Sequence, residues 1–115
     1  MDISKKEAKQ EAKLLKKIAK MKEPNQSIGQ KTHQIIMEIN PRLEPSSMYG
    51  MPAYKHPETN KVVCFFRSDK YFTLGITEDA QFPNHQLLHP SYWFIEEMNE
   101  EVEETIRSIL KIALK

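Results

Sequence analysis

Val62-Val63-Cys64-Phe65-Phe66-Arg67-Ser68-Asp69-Lys70-Tyr71-Phe72-Thr73-Leu74-Gly75-Ile76 is the stretch on which the fold turns. Its first five residues are apolar on both alternating faces, the mark of a central strand covered on two sides. Further on, Phe72, Leu74 and Ile76 alternate with Tyr71, Thr73 and Gly75, which gives one strongly apolar face. Ser68-Asp69-Lys70 joins the two strands, and Glu58-Thr59-Asn60 is a second polar joint just before them. Short polar joints between apolar runs predict an antiparallel meander.

Outward from this core, residues 41–57 hold Pro41, Pro45, Pro52 and Pro57 and read as irregular chain or short strands. Residues 78–90 read as a polar loop with Pro83 and Pro90, and Ser91-Tyr92-Trp93-Phe94-Ile95-Glu96 as a last strand. The two ends are helical. Over residues 3–22, Ala8, Ala12, Leu15 and Ala19 recur at helical spacing with Leu14 and Ile18 beside them. The first two turns, roughly residues 1–12, have little to bury and are expected to fray. Pro24 and Asn25 break the chain. Ser27, with Gln30 three residues on, predicts the capping box of a second helix. Ile28, Ile35, Ile36 and Ile39 form its stripe, and Pro41 ends it by Asn40. Asn99 caps a third helix with Val102, Ile106, Ile109, Leu110 and Ala113 as its buried stripe. Its glutamates sit at the positive end, and Arg107, Lys111 and Lys115 lie toward the negative end. Helices segregated from an antiparallel sheet mean an α+β domain. The expectation is one domain over residues 1–115, with about four to five strands packed with two N-terminal helices and one C-terminal helix.

Composition narrows the function. The 115 residues carry a net charge of +1, so no global electrostatic footprint points to nucleic acid or an anionic membrane. The charge is uneven along the chain. Residues 1–23 hold eight lysines against Asp2, Glu7, Glu11 and Glu23, a net of +4, while residues 96–104 hold six glutamates and no base. A lone Cys64 excludes an internal disulfide. The Lys-rich start lacks the apolar core of a signal peptide, and no run approaches a spanning helix, so the expected compartment is the cytoplasm.

Two segments carry a resemblance. Tyr49-Gly50-Met51-Pro52-Ala53-Tyr54 precedes Lys61-Val62-Val63-Cys64-Phe65-Phe66, and Tyr71-Phe72-Thr73-Leu74-Gly75-Ile76 follows. Over roughly residues 18–114 this pattern resembles the YdhG-like domain, grouped with the YjbR-like and frataxin-like (CyaY) folds. The resemblance implies a twisted antiparallel sheet with packed helices, and its concrete functional lead is a frataxin-like iron chaperone. Frataxin-type binding uses an acidic ridge on the first helix. Here that helix is lysine-rich, so an iron role must move to Glu96, Glu97, Glu100, Glu101, Glu103 and Glu104 or be dropped.

The residues themselves offer several candidate sites. Gly50 tolerates positive φ, and Pro52 fixes its own φ and holds Met51 extended. Tyr49, Gly50, Met51, Pro52 and Tyr54 can form a semi-rigid rim suited to a small apolar ligand. The same segment equally fits a tight corner with its side chains in the core. Among the metal candidates, Glu97 and Glu101, or Glu100 and Glu104, share a helix face, and carboxylates bind hard cations and iron. Dipole-favoured surface glutamates explain the same pattern. His85 and His89 are four apart but bracketed by prolines, and read as surface loop residues; His33 falls in the second helix and His56 beside Pro57. Cys64 reads as a buried, inert thiol. Lys9, Lys13, Lys16 and Lys20 share one stripe that can meet an acidic partner, or be a solvated face. With no arginine before Arg42 and no aromatic before Tyr49, nucleic acid and membrane are unfavoured partners. No phosphate loop, zinc-type cysteine pair or nucleophile elbow occurs. The reading is a non-enzymatic binding or carrier domain for iron or a small apolar molecule. The alternative is an interaction module whose Lys-rich helix binds an acidic protein or nucleic acid.

Overall fold

The structure, a computed structural model, describes residues 2–77 and 92–114, with side chains from residue 8 onward. The expectations for residues 78–90 and for Ser91, including those for His85 and His89, lie outside the described residues. The elements are α1 (Asp2–Ala19), α2 (Asn25–Ile39), β1 (Glu44–Met48), β2 (Met51–Lys55), β3 (Val62–Ser68), β4 (Phe72–Ile76), β5 (Tyr92–Ile95) and α3 (Glu100–Ala113). The fold is α+β: the described residues form three helices and one five-stranded antiparallel sheet in the order β1-β2-β3-β4-β5. The expected meander is therefore extended by a hairpin on one side and a strand on the other.

The register sorts the side chains into two faces. Tyr54, Cys64 and Ile76 stand in one row, and Phe72 pairs with Ile95 on the same face. These residues, with Phe66 and Leu74, are buried with Leu14 and Ile18 of α1, Ile28, Ile35 and Ile36 of α2, and Ile106 and Leu110 of α3 in one core. Burying a large apolar side chain contributes about 1.5–3 kcal/mol, so this shared core is what binds helices to sheet. α1 lies on β1 and β2, α2 reaches β4, and α3 packs on α2. Across the other face run Ala53, Phe65, Gly75 and Tyr92. A Cβ on Gly75 would stand 2.3 Å from the Phe65 ring, so the missing side chain makes room for that ring to lie on the sheet. Tyr92, Trp93 and Phe94 on the β5 edge are exposed, and Phe94 sits 5.9 Å from the Tyr71 ring.

Three local expectations are corrected. α1 buries Leu14 and Ile18, whereas Ala8, Ala12, Leu15 and Ala19 face outward. The larger apolar areas decide which side of the helix turns inward. Asn25 begins α2 rather than breaking the chain, with Pro24 as N-cap. Ser27 does not cap it: the Glu23 carboxylate accepts both the Ser27 N–H (2.8 Å) and its hydroxyl (2.7 Å), and holds its own pKa below the usual range through those bonds. Pro lacks an N–H that would need a partner, so it sits comfortably at a helix start. The third is Tyr54, which is buried in the core and not on a rim. Elsewhere the expected stop of α2 at Asn40 and the cap of α3 are as read: the Asn99 side chain accepts the Val102 N–H at 2.9 Å.

Candidate functional site: a basic cleft at the α1–α2 corner

Residues 49–54 form the centre of a hairpin. Tyr49 (φ 51°) and Gly50 (φ 80°) are the two turn residues between β1 and β2. Positive φ at both positions is the turn that matches strand twist, and it suits Gly50 but strains Tyr49. The consequence for the expected rim is a split. Tyr49 is 94% exposed, Gly50 is exposed, Met51 is half-buried and Pro52 is buried. Tyr54 is fully buried in the core, so it belongs to the tight-corner reading and not to a rim. Alternation explains this: Tyr54 shares a face with Pro52, and that face carries α1.

Gly50, Met51 and Pro52 instead form one wall of an open cleft of about 780 Å³. The end of α1 and the following turn supply Lys17, Lys20, Met21 and Lys22. Glu23, Pro24 and Asn25 bring the start of α2, and Arg67, Ser68, Asp69 and Lys70 the β3–β4 turn. Among the described residues, five cations thus face two carboxylates. Both carboxylates are engaged: Glu23 by Ser27, and Asp69 by Arg67 at 3.1 Å. The cleft is held in shape by long-range bonds. Lys17 Nζ donates to Gly50 O at 3.0 Å, tying α1 to the hairpin turn. Asn25, buried at the base, donates from Nδ2 to Ser68 Oγ (2.8 Å) and to Asp69 O (3.2 Å), tying α2 to the second turn. The positive end of the α2 dipole also points at this place.

The remaining candidates fall elsewhere. Lys9, Lys13 and Lys16 are exposed on α1 and Lys20 is exposed just past its end, and of the four only Lys20 reaches the cleft. Glu96, Glu97, Glu100, Glu101 and Glu104 are exposed at the start of α3 and before it. Glu103 is committed, with Lys31 at 3.2 Å and Arg107 at 3.0 Å, and those bonds keep its carboxyl below the usual range. Among the described residues no three His, Cys, Asp or Glu side chains gather to hold a metal ion. Cys64 is buried in β3, and burial pushes its thiol far up. His33 Nδ1 lies 2.6 Å from Tyr54 Oη, and Glu11 3.7 Å from His33 Nε2. This acid–imidazole–phenol line joins α1, α2 and β2, but Tyr54 has no exposed surface from which to reach a substrate. Among the described residues no helix is long and apolar enough to cross a membrane.

The sequence reading found Gly50, Met51, Pro52 and Lys20 but placed them in separate sites. It passed over Lys17, Asn25, Arg67 and Lys70 as site residues. A positive-φ turn and a polar joint were visible in the sequence; their meeting beside Pro24 depends on how far each hairpin extends, which no local pattern encodes. Compared with family models, curated proteins and solved structures, the chain finds no match in any of the three.

Proposed function

We propose that the protein is a non-enzymatic binding domain that holds a small anionic molecule in the cleft between α1, α2 and the two hairpin turns. The observation that carries this reading is the convergence of Lys17, Lys20, Lys22, Arg67 and Lys70 on one concave surface. Cations on two separate chain segments, residues 17–22 and 67–70, pre-arranged around a hollow attract an anion more strongly than the same charges spread over a helix. Met21, Pro24, Met51 and Pro52 add apolar wall, so the ligand has a less polar portion beside its charge. The volume lies in the usual range of ligand sites, roughly 300–1,000 Å³.

A second reading is favoured by the exposure of Lys9, Lys13 and Lys16 along α1 and of Lys20 just past its end, which fits an acidic macromolecular partner. One experiment separates the two. Isotope-labelled protein is titrated with inorganic phosphate and followed by backbone amide NMR. The cleft reading expects saturable shifts at residues 17–25, 50–52 and 67–70, weakened about tenfold or more in the K20E/R67E variant. Shifts confined to residues 9–16, or a linear drift without saturation, would overturn it.

A further inference from the structure

Tyr49 is not explained by folding. Its ring is 94% exposed, so it adds nothing to the core, and its backbone sits at φ 51° where an aromatic residue is disfavoured and Asn or Gly is at home. Among the described residues its ring meets no other ring. Its backbone is set by the two-residue turn between β1 and β2. The next residue, Gly50, lines the cleft and is tied to Lys17 through its carbonyl. An exposed aromatic side chain therefore stands one residue beyond the rim of a cationic hollow.

We infer that the cleft takes an anion carrying a planar ring, of the nucleoside monophosphate class, with its phosphate among Lys17, Lys20 and Arg67 and its ring against Tyr49. This rests on the anion-binding reading above and names its ligand. A bare inorganic anion has no use for Tyr49. A purely apolar ligand has no use for five cations. A ring-bearing phosphate uses both, since phosphate is drawn to lysine and arginine and every base has a face to stack. Met21, Met51 and Pro52, which also line the cleft, suit the less charged sugar.

The test titrates the full chain with adenosine 5′-monophosphate, ribose 5-phosphate and inorganic phosphate, read by amide NMR and calorimetry. Stacking on one exposed ring gives a preference of about tenfold, the lower part of the range known for base–aromatic contacts. The monophosphate of adenosine is thus expected to bind about tenfold more tightly than ribose 5-phosphate. Y49F keeps that preference. Y49N abolishes it and leaves the affinity for inorganic phosphate unchanged; Asn suits positive φ, so this variant keeps the turn and its fold. Equal affinities for the two ligands, or a preference that survives in Y49N, would overturn the inference while leaving the anion site standing. If none of the three ligands shifts residues 17–25 or 67–70, the underlying reading fails instead. Affinity for oligothymidylate that climbs steeply with length would also overturn it, in favour of a single strand.

Discussion

The hydroxyl of Tyr54 and the imidazole of His33 meet at 2.6 Å between β2 and α2. Burial holds the phenol far above its ordinary pKa, so it stays protonated. In the neutral tautomer that turns Nε2–H toward the Glu11 carboxylate, the phenol donates to Nδ1. His33 itself titrates below its ordinary value: burial lowers it, and the Glu11 charge offsets only part of that. The unfolded chain takes up the proton near pH 6.5 and the folded chain only at lower pH, so the unfolded state binds more protons in between. The stability supplied by neutral His33 is present above pH 6.5 and is lost as the pH falls through the folded value. Urea midpoints measured from pH 7.5 to 5 are expected to decline, in a window above the titration of Glu23, Glu38 and Glu103, whose pKa values are all lowered. His33→Leu flattens that slope and, by leaving the Tyr54 hydroxyl without its acceptor, costs about 1–3 kcal/mol at pH 7.5. A slope unchanged in the variant would mean that His33 is not the titrating group.

Helix ends show what local sequence encodes and what it does not. Asn99 was legible, because its side chain acts three residues away and needs no tertiary partner. Replacing it with Ala is expected to destabilise the protein by about 1 kcal/mol, and with Asp or Ser by much less, in thermal melts at neutral pH. If N99A melts with the wild type, α3 does not depend on that cap. The start of α2 was misread because Ser27 looks like a cap, and only the fold shows Glu23 already serving its N–H. On α1 the inward face follows Leu14 and Ile18, whose combined apolar area outweighs the regular alanine spacing beside Leu15. The strands were read well because alternation is local and the joints are short. The α2–α3 contact was not foreseen at all. Arg107 bonds Glu38 of α2 at 2.8 Å and Glu103 of its own helix at 3.0 Å, while Lys31 reaches across to Glu103. Partners 69 residues apart, as Glu38 and Arg107 are, leave no periodic trace in the sequence.

Cys64 lies in the central strand with helices over its face, which makes it a reporter on the molecule as a unit. Its thiol is fully buried and pushed well above its ordinary range, so a thiol reagent meets a reactive group only when the core opens. If sheet and helices share one cooperative core, modification at pH 8 tracks global unfolding. The native protein is then expected to react at least about 1,000-fold more slowly than the chain in denaturant, as a stability of roughly 5 kcal/mol or more requires. The same logic ranks variants by how much each lowers the stability of the whole. Phe66 is fully buried beside Tyr54 and Phe72, with ring centroids 6.0 and 5.1 Å away. Phe66→Ala removes that packing at a cost of about 3–5 kcal/mol and should speed modification about 100-fold or more. N99A, on a helix distant in sequence from β3, should speed it about fivefold, since 1 kcal/mol of global stability is felt wherever it is lost. Acceleration by F66A without any by N99A would show that β3 opens by local fraying, and that α3 and the sheet do not unfold together.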